Sequence, residues 1–190
     1  MDIDSEKYGK GDLLIANGNL MDPNFKRMVV LLCEHNENGS YGLILNNPTQ
    51  TPISKLAPDH DLLKNEDSPV YVGGPCQMDR LQVLHGFGSL LSDTIRICEN
   101  VFMSGDFDAV LRIKSQDKES GGKCRFYLGY SGWGPGQLES EMERKSWIIH
   151  PANNKIVFSM DHENMWKEIL DSKGGYYSFH STMPPDIRAN

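Results

Sequence analysis

The chain has 190 residues, of which 38% are hydrophobic and 24% charged, and its formal net charge is −7. A chain of this length suits one domain that buries roughly 70% of its unfolded surface, so its core needs neither disulfides nor a structural metal. Lys and Arg cluster in no more than adjacent pairs, such as Lys26-Arg27. Because nucleic-acid affinity depends on neutralising phosphates, this composition argues against direct binding to nucleic acid or to an anionic membrane.

The N-terminus and the cysteines bear on where the protein resides. Residues 1–12 are polar and acidic and lack the basic and apolar regions of a signal peptide. No apolar run approaches the roughly 20 residues that a membrane helix requires. The four cysteines form no C-x-x-C pair, and Cys33 and Cys124 lie in apolar runs, which favours reduced thiols. We therefore expect a cytoplasmic protein without membrane contact.

The first fifty residues predict a β-hairpin preceded by a short strand. Residues 13–16 form an apolar run that an Asn-Gly-Asn sequence interrupts. Residues 28–33 are continuously apolar, which is typical of a strand buried on both faces. A turn signal at residues 36–39 separates this strand from a second one at residues 41–45.

The middle of the chain carries weaker signals. Residues 51–64 predict a helix interrupted by a proline, and residues 70–72 predict a short strand. Residues 81–85 predict another strand, beside which residues 94–97 are expected to pair. Ser104 can cap a following helix, because its hydroxyl can accept a hydrogen bond from a free backbone N–H.

The remaining segments alternate between helix and strand. They begin with a helix at 104–115, a polar loop at 117–123 and a strand at 125–130. A Gly-rich turn at 132–136, a helix at 137–145 and a strand at 147–150 follow. The last helix, at 161–174, is capped by Asp161. Strict β-α-β alternation is absent, which predicts an α+β fold with a mixed, largely antiparallel sheet and flanking helices. We expect one compact domain at residues 11–179, with flexible ends at 1–10 and 180–190.

Three sequences resemble functional motifs, and each lacks an essential residue. The Gly-rich turn is followed by Gln137 rather than by the lysine of a phosphate-binding loop. Trp133 occupies the second glycine position of a nucleophile elbow. A His-Glu pair resembles the start of a zinc-binding helix, but Trp166 replaces the second histidine. The sequence therefore predicts no metal site and no cofactor.

Glu34 and His35 end the buried strand and allow two interpretations. A histidine beside a carboxylate can perform acid–base chemistry near neutral pH, with Glu34 or Asp22 as its partner. Neighbouring strand residues point to opposite faces, so the pair also fits a polar strand end that leads into a turn. Trp133 is likewise either a partly exposed aromatic platform or a core residue.

Several segments, taken in order, resemble the AlgH-like (YqgE) family of bacterial proteins. They are residues 13–16, 20–35 and 39–48, then V-Y-V-G-G-P at 70–75, and L-G-Y-S-G-W-G-P-G-Q-L-E at 128–139. Trp147 stands where the family carries a Trp, and the similarity extends over about residues 13–170. The resemblance implies a compact α+β domain of a family often labelled as transcriptional regulators, without an established activity or catalytic residues.

The resemblance also implies a candidate binding surface. The positions that match the family's pattern are expected to converge there: Asp22, Arg27, His35, Asn46, Gly73, Gly74 and Trp133. The sequence departs from the family at Cys76 and Ser131, where Val and Ala are common, which argues against either residue as a nucleophile. Asn47 replaces the usual Arg, which weakens the case for anion or DNA binding.

These observations favour a regulatory or binding protein that acts through a small ligand or a protein partner rather than by direct DNA binding. The catalytic residues, if there are any, stay unknown. The alternative is an enzyme of unknown reaction with a His/carboxylate cleft around His35.

Overall fold

The computed structural model of the protein describes residues 8–116 and 123–182. In this part of the chain the strands are β1 Asp12–Ala16, β2 Val29–Asn36, β3 Gly39–Ile44, β4 Pro48–Pro52, β5 Pro69–Val72, β6 Cys76–His85, β7 Thr94–Cys98, β8 Val101–Ser104, β9 Cys124–Trp133 and β10 Trp147–Pro151. The helices are α1 Ile53–Leu56, α2 Phe107–Gln116, α3 Gln137–Glu143, α4 Asn154–Ser159, α5 Met165–Lys173 and α6 Gly175–Ser181, with a short 3₁₀ helix at Gly88–Leu90.

The strands form a mixed sheet in which antiparallel pairing dominates. Its order is β10-β1-β2-β3-β9-β6-β8-β7, and β4 pairs with β5, which runs parallel to β9. β9 joins the two halves of this sheet, since one of its edges meets β6. Its other edge meets β5 at residues 126–128 and β3 at residues 131–133.

The sheet curls around an apolar interior. Every strand except β4 contributes a buried side chain to the same core, as Leu13 and Ile15 do from β1. Because successive strand residues point to opposite faces, Leu14 faces outward instead, into a second core that α3 covers. A third core lies under α2, with Val110 and Leu111 as its helical members.

Helices α4 and α5 cover one end of the curled sheet. The indole N–H of Trp166 donates to the carbonyl of Ala16, the last residue of β1, at 2.8 Å. Arg125, near the start of β9, donates to the carbonyls of Phe158 at 3.3 Å and Leu45 at 3.4 Å. The end of the sheet where β3 begins and where β2 and β9 end therefore lies away from α5 and from the C-terminal end of α4.

The α+β prediction is confirmed at the level of a curled, largely antiparallel sheet with helices. The hairpin of β2 and β3 is present, and Val29–Cys33 are buried throughout, as a strand covered on both faces requires. Strands at residues 13–16, 70–72 and 147–150 are confirmed as parts of β1, β5 and β10.

The predicted helix at residues 51–64 was wrong for most of its length. Only α1 is helical, and Pro48–Pro52 form the short strand β4. Proline lacks a backbone N–H and restricts the residue before it, so Pro58 prevents the helix from continuing. At β4, which pairs with β5, prolines at the strand ends are tolerated.

The predicted caps of two helices were also wrong. Asp106 caps α2, since its carboxylate accepts a hydrogen bond from the N–H of Ala109 at 2.9 Å. Ser104 instead accepts from the N–H of Asp106 at 3.1 Å and so stabilises the turn before the helix. Asp161 accepts from the side chain of Asn164 at 2.7 Å in the turn before α5, which begins later than predicted.

Besides β4 and the 3₁₀ helix, three elements were not predicted: β8, α4 and α6. Because β8 lies between β6 and β7, the predicted strand at 94–97 pairs with β8 rather than with residues 81–85. Tyr8 packs 5.0 Å from the ring of His35, and His180 and Ser181 are buried, so packing extends past residues 11–179. Residues 1–7 and 183–190, and most of the predicted loop at 117–123, lie outside the described residues.

Candidate binding site

An open groove lies at the end of the sheet where β2 ends and β3 begins. It has a volume of about 720 Å³ and is lined by the start of β3, the end of β2, the first half of β6 and parts of β7 and β8. A depression of about 690 Å³ shares five lining residues with it, so the two are continuous: Glu34, Tyr41, Gln77, Arg80 and Tyr130. Pockets of several hundred Å³ at the mouth of a curled sheet are typical small-molecule sites.

Two tyrosines form the floor of the groove. The ring centroids of Tyr41 and Tyr130 are 5.0 Å apart, and both rings pack against the interior core. The Tyr41 hydroxyl donates to the sulfur of Met103 at 3.8 Å, a weak acceptor. Burial, with smaller effects of Cys33 and Tyr130, raises the pKa of the Tyr41 phenol, so the phenol keeps its proton at neutral pH. No group in the described ranges hydrogen-bonds the hydroxyl of Tyr130, so the floor can donate a hydrogen bond to an occupant from that residue.

The charged side chains of the groove are mostly cationic. Lys10 and Arg80 line it and are exposed, and neither forms an ion pair with any residue in the described ranges. Glu34 is the carboxylate among the lining residues, and it accepts a hydrogen bond from the side chain of Asn36 at 2.7 Å. Two cations against one carboxylate give this groove a positive balance in an acidic protein.

The thiols of Cys33 and Cys98 are poor nucleophiles. Cys33 lines the groove but is buried, and its sulfur donates to the carbonyl of Leu31 at 3.5 Å. Burial raises the pKa of the Cys33 thiol far above its ordinary value, and it raises that of Cys98 to about 11. Since the thiolate is the reactive species, both thiols are inert at neutral pH. All four cysteines are free.

Gly73 and Gly74 carry the chain from β5 past β9. The N–H of Gly73 donates to Leu128 O at 2.8 Å, and its carbonyl accepts from the N–H of Ile44 at 2.9 Å. A Cβ at Gly74, where φ is +151°, would lie 2.2 Å from the carbonyl carbon of Tyr130. The two glycines therefore permit a close backbone approach, and neither lines the groove.

Asp22 and Arg27 belong to the loop between β1 and β2, and Asn46, which follows β3, holds the end of that loop. The Asn46 amide accepts from the N–H of Val29 at 2.8 Å and donates to the carbonyl of Arg27 at 3.0 Å. The Arg27 guanidinium lies 5.0 Å from the ring centre of Trp166. The Asp22 carboxylate accepts from the N–H of Asn24 at 2.9 Å, as a turn requires.

His35 and Trp133 both lie beside α3. His35 Nδ1 is 2.8 Å from the Ser40 hydroxyl, and its Nε2 is 3.9 Å from the Glu139 carboxylate. Trp133 is only 5% exposed, which favours the core interpretation of this residue. Its indole N–H donates to the Glu141 carboxylate at 2.9 Å.

The comparisons with known proteins identify the family. The AlgH-like family model matches residues 13–178 of this chain. The chain belongs to the AlgH-like family. It is 39% identical over 174 residues to a UPF0301 protein of Chlorobaculum tepidum, which covers 92% of this chain and 91% of that one. It is 38% identical over 181 residues to a UPF0301 protein of Chlamydia caviae, with 95% of each chain covered.

Two solved structures share this AlgH-like fold. The solution structure of the AlgH protein from Pseudomonas aeruginosa has a TM-score of 0.71 and 32% identity, covering 97% of this chain and 98% of that one. The crystal structure of a Corynebacterium diphtheriae protein has a TM-score of 0.77 and covers 93% of both chains. At 20% identity the latter supports the fold alone.

The seven residues predicted from the AlgH-like resemblance fall into three groups in the structure. Asp22 and Arg27 share the first loop, which Asn46 contacts from the end of β3; Gly73 and Gly74 follow β5, and His35 and Trp133 adjoin α3. None of the seven lines the groove itself, and Trp133 lines the adjoining depression of about 690 Å³. That these residues bind a ligand stays a prediction.

Sequence reasoning missed the residues that form the groove: Lys10, Tyr41, Arg80 and Tyr130. A tyrosine within an apolar strand resembles any core residue, and isolated cations resemble surface charges. In the described part of the AlgH-like chain, no group of three or more His, Cys, Asp or Glu side chains is arranged to hold a metal ion. No helix there is long and apolar enough to cross a membrane.

Proposed function

We propose that the protein binds a small molecule at the open end of its curled sheet and acts as a regulatory protein through that ligand or through a protein partner. One observation carries the proposal, namely the groove of about 720 Å³ floored by Tyr41 and Tyr130. Its size and its combination of apolar and polar lining fit a small-molecule site. The tyrosine rings offer apolar contact, while their hydroxyls offer polar contact.

The chemistry of the groove favours binding over covalent catalysis. Its lining residues include no histidine. The Cys33 thiol and the Tyr41 phenol have raised pKa values, mainly because they are buried, and so stay protonated. A covalent reaction would need an activated nucleophile or a base with a pKa near neutrality. The acidic net charge of −7 further favours regulation through a ligand or protein over direct contact with DNA.

A thermal-shift screen against a library of metabolites and nucleotides tests this proposal. A ligand that binds the folded state stabilises it by about 2.7 kcal/mol at a hundredfold excess over its Kd. We expect a stabilising compound whose effect Tyr130→Ala abolishes. Tyr176→Ala is the matched control, because Tyr176 is exposed on α6 and does not line the groove. A compound that stabilises Tyr130→Ala as much as the wild type would contradict the proposal.

The alternative function is an enzyme that uses His35 as a base. It is favoured by the 2.8 Å contact between His35 Nδ1 and the Ser40 hydroxyl, with the Glu139 carboxylate on the other side of the ring. Against it, Ser40 is 8% exposed, and the two residues face each other across a hairpin, as polar strand pairs commonly do. An ester-hydrolysis screen with His35→Ala tests this alternative, with Glu37→Ala in the turn as the control. Activity that His35→Ala leaves unchanged would exclude it.

A further inference from the structure

We propose that the ligand of this groove is a small organic anion with an apolar body. This inference rests on the proposed function, since it names the class of molecule that the same groove takes. The anionic group, a carboxylate, phosphate or sulfonate, binds between Lys10 and Arg80. The apolar body lies along Leu81, Ile95 and Met103.

The unpaired cations carry the first step of the argument. Lys10 precedes β1 and Arg80 belongs to β6, so the fold brings two cations from distant parts of the chain to one groove. Neither has a carboxylate partner among the described residues. In a protein with seven more acidic than basic residues, two such cations in one concave site favour an anionic occupant.

Hydrogen-bonding side chains line the same groove as these cations. Tyr41 and Tyr130 offer hydroxyl groups, and no protein group in the described ranges hydrogen-bonds the hydroxyl of Tyr130. The side-chain amide of Gln77 also lines the groove, and its backbone has the rare φ of +46°. A non-glycine residue in this region is strained, and such residues concentrate at ligand sites.

The exposed apolar side chains of the groove indicate that the ligand also has an apolar part. Ile95 is 58% exposed and Leu81 is 37% exposed, and both line the groove beside Met103. Contact with a ligand would bury these surfaces, at about 25 cal/mol per Å² of apolar area. The occupant is therefore amphiphilic rather than a simple inorganic anion.

An acidic rim sets the orientation of the ligand. A neighbouring depression shares Ile95 and Phe107 with the groove and is lined by three carboxylates: Asp93, Asp106 and Asp108. A second anionic group at that end would be repelled. The ligand therefore carries its negative charge at the end that faces Lys10 and Arg80, and its other end is neutral or cationic.

Two fluorescent probes with nearly the same ring system separate charge from apolar contact. 8-Anilinonaphthalene-1-sulfonate carries a sulfonate, and N-phenyl-1-naphthylamine has the same rings without it. We expect Arg80→Gln and Lys10→Gln each to raise the Kd of the sulfonate about fivefold, the equivalent of about 1 kcal/mol for a partly exposed charge pair. The Kd of the neutral probe should change by less than about twofold, because it lacks the charge.

Lys155→Gln is the matched control, because Lys155 is an exposed cation on α4 that does not line the groove. Near-UV circular dichroism must show that every variant is folded, because the sulfonate probe also binds partly folded chains. An unchanged sulfonate Kd in both charge variants overturns the anion inference, while the groove still binds the neutral probe. If Tyr130→Ala weakens neither probe, the proposed function fails as well.

Discussion

Trp133 and Trp147 donate their indole N–H groups to the same carboxylate oxygen, Glu141 Oε2, at 2.9 and 2.7 Å. The two rings are 6.0 Å apart in an edge-to-face arrangement, and both side chains are buried. Trp133 ends β9 and Trp147 begins β10, with β1, β2 and β3 between them in the sheet. A single carboxylate on α3 thus links β9 to β10, the two outermost strands of this half of the sheet.

Removing this carboxylate should destabilise the protein strongly. Glu141→Ala leaves two buried indole N–H groups without acceptors, and each hydrogen bond to a charged group contributes about 1.5–3 kcal/mol. We expect a loss of about 3 kcal/mol in the free energy of unfolding, measured by urea denaturation. Glu141→Gln should lose less, because it keeps an acceptor oxygen. Glu139→Ala on the same helix is the control, and an equal loss there would show that helix propensity, not the shared acceptor, causes the effect.

The side chain of Asn46 should prove structural. Asn46→Ala leaves the N–H of Val29 and the carbonyl of Arg27 without their partner, and an unsatisfied buried group costs about 1–3 kcal/mol. We therefore expect urea unfolding to report a loss of about 2 kcal/mol. Asn47→Ala should change stability by less than about 0.5 kcal/mol, since its side chain forms no hydrogen bond in the described part of the chain. Equal losses at the two positions would contradict this interpretation.

Gly74 should not accept a side chain. In Gly74→Ala the new Cβ would overlap the backbone of Tyr130 and Ser131, at 2.2 and 2.3 Å, and a left-handed φ adds strain. Together these effects should cost about 3 kcal/mol or more, or prevent folding. At Gly134 an added Cβ would meet only the Gln137 side chain, at 4.0 Å. A Gly74→Ala variant as stable as Gly134→Ala, measured by thermal unfolding, would disprove the close approach.

His85 should make the protein less stable in acid. It is fully buried between the rings of Phe87 and Phe102, its Nδ1 accepts from the N–H of Phe87, and its Nε2 faces the Thr94 hydroxyl at 3.0 Å. Burial lowers the pKa of His85 from 6.5 to about 4. The unfolded chain therefore binds a proton between pH 6.5 and 4 that the folded chain does not bind. The stabilising effect of neutral His85 is complete above pH 6.5 and is lost as the pH falls towards 4.

Urea unfolding of the wild type and His85→Leu over this pH range measures the effect. His85→Leu should be less stable at pH 7, because it loses two hydrogen bonds, but its stability should fall less on acidification. We expect the difference in unfolding free energy between the wild type and His85→Leu to change by roughly 2–3 kcal/mol, in favour of the variant, between pH 7 and 4. Since burial and Lys173 also lower the pKa of His150, a second variant, His150→Leu, separates that contribution. Parallel curves for the wild type and His85→Leu would rule out His85 as the titrating group.

The hairpin and the groove differ in how far the sequence predicts them. The run Val29–Cys33, the turn and the second strand are local features, and their alternation and apolar content indicate strands without reference to the rest of the chain. The cap of α2 was assigned to Ser104 although Asp106 performs it, because both are good caps two residues apart and only backbone geometry distinguishes them. The strand β8 was missed because a strand of four residues between turns is too short to show a clear alternation of apolar and polar residues.

The sequence by itself determined the family, the α+β class and the main strands, since these follow from local periodicity and from ordered signatures along the chain. Only the tertiary structure decided where the binding groove lies. Lys10, Tyr41, Arg80 and Tyr130 are up to 120 residues apart in sequence, and the curl of the sheet through β9 brings them together. A side chain's surroundings depend on which strands pair, and long-range pairing leaves no local signal at the residues that it joins.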